Sequence, residues 1–244
     1  MIEIRPLAVH AELQEAVRLQ KQTWGFDDVE LIPLRLFVVA TKIGGQAFGA
    51  FDGKKMIGFC LAIPGVKAGG KTYLHSHMLA VAPEYRNAGV GRSLKLAQRD
   101  EALGRGIDLM EWTFDPLEIK NAYFNMERLG AIVRRYVLNQ YGTTGSPLHG
   151  GLPTDRCTAE WWMKSARVEA ILAGRPLERG PIEARISVPG DIASIRASDL
   201  QQARAIQAKI SEEFQAAFQR GLAVIGFEKS EEAGTYLLGK WDSN

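Results

Sequence analysis

The stretch AVAPEYRNAGVGRSL, residues 80–94, sets a glycine-bearing turn directly between an apolar strand and a helix. That junction is where backbone amides bind an anion. Gly89 and Gly91 carry no Cβ, so a phosphate can approach the chain closely. The amides of the first helical turn point outward with the positive end of the helix dipole behind them. Two common phosphate motifs fail on the letters. A Walker loop needs G-x-x-x-x-G-K-[ST], but Arg86 stands five residues before Gly91 and Arg92 follows it. A dinucleotide fingerprint starting at Gly89 would need glycine where Leu94 stands, after a parallel βαβ entry that is absent here.

Upstream, residues 47–82 read as three antiparallel strands, with Asp52-Gly53 and Gly69-Gly70 as the turns between apolar runs. Farther back, residues 2–8 read as a strand and 10–22 as a helix, followed by a turn at Trp24-Gly25. Downstream, Val90, Leu94, Ala97 and Ala102 repeat helically until the glycines at 104 and 106. IDLMEWTF, residues 107–114, is strand-like. Asp115-Pro116-Leu117-Glu118 has the form of an N-cap with a Pro at the first helical position, predicting a helix to about Arg128 closed by Gly130. Residues 131–138 form another strand, 142–153 a glycine-rich loop, and 157–163 a further strand. Beyond Arg179-Gly180-Pro181, EARISVP is strand-like and Ser198-x-x-Gln201 resembles a capping box. The helix it opens carries Ile206, Ile210, Phe214 and Phe218 on one stripe, and LAVIGF and TYLL follow as closing strands.

The chain has 244 residues, 46% hydrophobic and 24% charged, which excludes disordered, collagen-like and coiled-coil classes. Thirty basic against 28 acidic residues leave a net charge of +2, too small to suggest a nucleic-acid or anionic-membrane binder, although it leaves room for a local basic patch. Cys60 and Cys157 spell neither a disulfide framework nor a zinc ribbon, so a reducing cytoplasm is expected. The N-terminal residues carry charges throughout, and no stretch reaches the ~18 apolar residues of a membrane span.

Arg86-Asn87-Ala88-Gly89-Val90-Gly91 matches the R/Q-x-x-G-x-G/A loop of the CoA-dependent N-acyltransferase (GNAT) superfamily. The preceding V-x-P-E-Y, the element order to about residue 164 and the helix ending in Leu129-Gly130 also resemble it. The resemblance implies an α/β fold: a mixed, mostly antiparallel sheet with splayed central strands, flanked by helices. It implies an acyltransferase core over 1–165 and a small α/β extension over 166–244 that packs on it. It also implies that backbone groups of Leu79, Ala80 and Val81 pair with pantetheine. Amides of Asn87, Ala88, Gly89, Val90, Gly91 and Arg92 hold the pyrophosphate, behind Arg86 of the same motif. Arg92, Lys95 or Arg99 could face the nucleotide phosphates or be solvated surface cations, and Asn121 could contact the cofactor or be an exposed helical residue.

Amine acylation needs a base to free the amine, stabilisation of an oxyanion and departure of a thiolate. His75 and His77 lie on one strand, and period 2 puts both imidazoles on one face. Counted back from Arg86, the pair falls where members resembling the arylalkylamine acetyltransferase branch carry a catalytic histidine pair, and His75 where others carry a glutamate base. The alternatives are satisfied core imidazoles or a metal site, for which His10 and His149 are distant third ligands. Met126 stands where many members carry a tyrosine that protonates the thiolate, and Tyr123 is no obvious substitute. Either another group gives the proton or the thiolate leaves unassisted. Glu111 could face the cleft or the opposite side, and Asp115 reads as a cap. Arg156 could clamp a substrate carboxylate or form a surface ion pair.

TWG (23–25), SHM (76–78), WTFDPL (112–117), NAYFN (121–125) and GLPTDR (151–156) resemble a bacterial branch with a C-terminal extension. That likeness implies acyl transfer from acetyl-CoA or another acyl-CoA, such as succinyl-CoA, to a small-molecule amine, with amino acids ahead of aromatic amines. Two other readings stand beside it: a non-catalytic acyl-CoA-binding module and a protein-lysine acyltransferase. Residues 181–244 could complete a homodimer interface, extend the sheet or wall off the acceptor site.

Overall fold

Apolar alternation sets the strands, and a 3.6-residue apolar period sets the helices that cover them. The computed structural model describes residues 1–142 and 150–241, so most of the glycine-rich loop expected over 142–153, with His149, lies outside the described residues. The chain divides into two compact units, Met1–Glu111 and the chain from Trp112 onward.

The first unit runs β1 (Ile2–Pro6), α1 (His10–Trp24), α2 (Leu34–Lys42), β2 (Gln46–Asp52), β3 (Lys55–Val66), β4 (Thr72–Val81), α3 (Val90–Gly104) and the start of β5 (Leu109–Phe114). Its strand order is β1-β2-β3-β4-β5, antiparallel except for the β4/β5 pair. Leu13, Ala16 and Leu19 of α1 and Phe37 and Ala40 of α2 pack with Phe51, Phe59, Leu61, Met78 and Ala80. On the other face, Val90 and Leu94 of α3 pack with Phe48, Ala50, Ile57 and Cys60.

Helix α2 is an element that the sequence reading lacks. In LRLFVVATK only Phe37 and Ala40 are buried, and Leu36 and Val39 stay exposed, so the apolar residues trace no clean stripe. A tertiary tie places it. The buried Gln20 amide accepts from the Ile32 N–H (2.9 Å) and donates to the Ile32 carbonyl (3.1 Å), fixing the link between α1 and α2.

The second unit holds the end of β5, α4 (Ile119–Tyr123) running into a π-helical turn (Phe124–Leu129), β6 (Ile132–Val137), β7 (Arg156–Trp162), α5 (Ala166–Leu172), β8 (Ala184–Pro189), α6 (Ile192–Ser198), α7 (Leu200–Gln219), β9 (Ala223–Lys229) and β10 (Ala233–Gly239). Its strand order is β5-β7-β6-β9-β10-β8. The C-terminal strands therefore extend this sheet, β9 meeting β6 at Val133 and Val224.

Three local expectations change. Asp115 does not cap a helix: its Oδ1 accepts from the Leu117 N–H (2.8 Å), an Asx turn, and α4 starts only at Ile119. The second half of that helix is π-wound where Arg167 of α5 donates to the carbonyls of Met126 (3.2 Å) and Gly130 (3.0 Å). Burial lowers the Arg167 guanidinium to about 10. Asp199, not Ser198, caps α7 by accepting from the Gln202 N–H (2.9 Å), because residues 192–198 form the short helix α6.

The fold is thus mixed α/β, with a mostly antiparallel open sheet flanked by helices. Among the described residues, no helix is long and apolar enough to cross a membrane.

Candidate functional site

In the first unit β4 and β5 pair in parallel at only two positions, Leu74 with Met110 and His75 with Glu111. Past His75, β4 continues to Val81 on its β3 ladder, and the ladder with β5 has ended. One edge of residues 76–81 thereby leaves the sheet's hydrogen bonding at the point where the chain turns toward α3.

That turn is built for close approach to backbone. Asn87 (φ +64°) and Gly89 (φ +81°) both adopt the left-handed conformation, which Asn and Gly tolerate best, and they flank Ala88. The Arg86 Nε donates back to the Val81 carbonyl (3.3 Å), tying the loop to the end of β4. Gly89 occupies the N-cap position of α3 and supplies no side-chain acceptor to the first-turn amides. A Cβ built on Gly89 would meet no atom within 4 Å, so the space in front of these amides is open. The loop has the backbone and the room that a pyrophosphate requires.

On β4 the His75 and His77 ring centroids lie 5.9 Å apart on one face. Strict alternation does not hold through this segment. The pairing with β3 shifts between Leu61–Met78 and Ala62–Ser76, which leaves His77 as the extra residue of a β-bulge. Side-chain contacts agree: Ser76 and Leu79, three residues apart, both face α3, whereas Met78 packs among the residues of α1 and α2. Burial lowers the His77 imidazole below its ordinary value of 6.5, so it is neutral at pH 7.

Glu111 is buried and its carboxylate is engaged by the Lys67 ammonium at 2.6 and 2.8 Å. The lysine also lies over the Tyr73 ring, 4.5 Å from its centroid. Its geometry is that of an ion pair beside His75.

Lys95 overturns the expectation of a surface or phosphate-facing cation. It lies 4% exposed, and its Nζ donates to the Ser76 Oγ (2.7 Å). Ser76 donates in turn to the Gln98 Oε1 (2.9 Å), and the Gln46 side chain of β2 donates to the Gln98 carbonyl (2.8 Å). The sequence did hold a signal: Lys95 and Gln98 fall between Leu94 and Ala102 on the inward stripe of α3. Arg99, by contrast, pairs with Asp100 (3.4 Å).

Burial pushes the Lys95 amine from 10.5 down to about 7. Between those pH values the unfolded chain binds one proton more than the folded one, so stability rises as pH goes from about 7 to about 10.5. The span corresponds to on the order of 5 kcal/mol. Lys95→Met is accordingly expected to be more stable than wild type at pH 7, with the advantage disappearing toward pH 10.5. Urea unfolding of both proteins across this range checks it.

In the second unit Asn121 is exposed on α4, Met126 is fully buried, and Tyr123 is exposed. Arg156 is buried, donates to the Asp155 carbonyl (2.9 Å) and lies over the Tyr141 ring at 5.4 Å, so it is no surface ion pair. Arg196 of α6 donates to Asp115 (3.3 Å) and Glu118 (3.2 Å), tying the extension to the turn after β5. Burial raises the Glu118 carboxyl.

The model of the acetyltransferase (GNAT) family matches residues 8–130, half of the chain. This chain belongs to the GNAT family. The GNAT match spans α1 through the π-helical turn and includes the histidine strand and the glycine loop. Members are generally CoA-dependent acyltransferases. Solved structures share the fold at low identity. The ribosomal-protein-S18-alanine N-acetyltransferase of Escherichia coli is 20% identical, with a TM-score of 0.52 over 68% of this chain and 96% of its own. NAA60 of Arabidopsis thaliana, in complex with a bisubstrate analogue, is 14% identical, with a TM-score of 0.56 over 68% of this chain and all of its own. Naa50 of the same plant, in complex with the bisubstrate analogue CoA-Ac-MVNAL, is 13% identical, with a TM-score of 0.50 over 65% and 97%. No curated protein matches this chain.

Proposed function

We propose that this GNAT protein moves an acetyl or succinyl group from CoA to the primary amine of a small molecule, an amino acid being the first candidate, by direct attack in a ternary complex. The observation that carries the reading is the continuity of β4: one ten-residue strand presents two adjacent imidazoles, then an edge free of β5, then an open left-handed loop at a helix start.

Bound acyl-CoA supplies the activated thioester. The chain does the rest. Amides of residues 87–92 hold the pyrophosphate, and backbone groups of Leu79, Ala80 and Val81 pair with the pantetheine arm. His77, neutral at pH 7, accepts the proton of the incoming ammonium, directly or through His75. The catalytic core of this reading is residues 1–165, with 166–244 as its extension.

The experiment is thiol release from acetyl-CoA and succinyl-CoA across amino acids, arylalkylamines and a short peptide with a free N-terminus, with calorimetry of CoA in parallel. Release that depends on an amino acid is the expected result. Release only with the peptide would reassign the acceptor to a protein, the acceptor class that the name of the ribosomal-protein-S18-alanine N-acetyltransferase of E. coli gives. CoA binding with no release from any acceptor would replace the transferase reading by a binding module.

A further inference from the structure

The bulge in β4 has to be held in place. A one-residue slip of a strand sends its side chains to the opposite face, and a bulge that migrated along β4 would do the same to the residues it passed. On this strand the residues at stake are the two histidines. Were Ser76 the looped-out residue, His77 would take its place opposite Ala62 and stand on the face of α3, parted from His75.

Two anchors bracket His77. After it, Met78 is buried among Leu61, Phe59 and the residues of α1 and α2. Before it stands Ser76, a small side chain with little apolar area to bury. It is held instead by two hydrogen bonds in opposite senses, from the Lys95 Nζ (2.7 Å) and to the Gln98 Oε1 (2.9 Å), three residues apart on one face of α3. Gln46 fixes the Gln98 carbonyl from β2 (2.8 Å). The alternative of an apolar residue at position 95 would fill the same space beside Leu94 and Cys60 without desolvating an amine. A buried lysine at this point therefore makes sense through what it bonds.

We propose that Lys95, acting through Ser76, is the positioning residue that fixes the β4 bulge at His77 and so holds both imidazoles on the face away from α3. Lys95 touches no reacting atom in this arrangement. It joins the helix whose first turn faces the anion site to the strand that carries the base, so cofactor loop and base share one frame.

The test uses Lys95→Met and Ser76→Ala in the full chain, the second a small change that keeps the question open should the first fail to fold. Two readouts are taken: the imidazole proton–carbon NMR signals of His75 and His77 through a pH titration, and steady-state kinetics. In both variants the two histidine signals are expected to shift or split into more than one state. The kcat should fall about tenfold, KM for acyl-CoA should stay within twofold, and the double variant should lose no more than the worse single one. Lys95→Met should do this while being the more stable protein at pH 7, which a lysine serving stability alone would not. Wild-type imidazole spectra in both variants overturn the inference, whatever the turnover. The kinetic arm rests on the acyl-transfer reading: displaced imidazoles in a protein whose wild type acylates no amine would refute that reading and leave the positioning role standing.

Discussion

Gly89→Glu is expected to weaken CoA binding by at least a hundredfold while the protein stays folded. Two effects add. Gly89 sits at φ +81°, and any L side chain there costs about 1 kcal/mol, which loosens the loop by roughly fivefold. The carboxylate then stands in the space that the first-turn amides of α3 face. A unit charge about 5 Å from another, at an effective dielectric of about 20, is repelled by roughly 3 kcal/mol, and a pyrophosphate carries more than one charge. The Cβ itself enters open space away from the packed core, so a broken core is not the expected cause of lost binding. Gly89→Ala is the control that separates the terms: it carries the backbone cost alone and should lose no more than about tenfold. Calorimetric titration of CoA into the three proteins decides. Wild-type affinity in Gly89→Glu would remove the cofactor from this loop.

The legible part of the fold is the part decided locally. The Asp52-Gly53 and Gly69-Gly70 turns, with φ of +56°, +86° and +81° at their glycines, appear where the letters put them, as do the strands that they join. The αL glycines at 89 and 130 bound α3 and the π-turn for the same reason: only the residue itself has to be right. What escaped the sequence is set by distant partners. The π-winding of Phe124–Leu129 accompanies hydrogen bonds from Arg167, about forty residues on. The fate of Glu111 depends on Lys67, and the burial of Lys95 on Ser76 and Gln98. Period 2 puts His75 and His77 on one face, yet it passes silently over the bulge between them and Leu79, because the register shift is a property of the β3 pairing and not of either strand's composition. In the candidate site, residue types were readable and their partners were not.

The largest kinetic effect is expected from the histidines. His75→Ala/His77→Ala should cut kcat/KM for the amine by about a thousandfold, the middle of the range for losing a general base, with CoA affinity within twofold of wild type. The imidazole face and the loop amides are separate parts of the strand-loop-helix unit, and only the former handles the proton. Burial depresses the His77 imidazole below its ordinary value. The base is the neutral ring, so the rate limb that it governs should be flat at pH 7 and fall only as the pH drops through an apparent value below 6.5. The acceptor amine, protonated in solution, adds its own dependence at higher pH. If one ring passes the proton to the other, each single variant should lose nearly as much as the double; if His77 acts alone, His75→Ala should lose little. Rates of all three variants from pH 5 to 9, each normalised to its own CoA occupancy, distinguish these outcomes. A double variant that keeps wild-type turnover would take proton transfer away from β4 and leave the pair as packed imidazoles beside the Lys67–Glu111 ion pair.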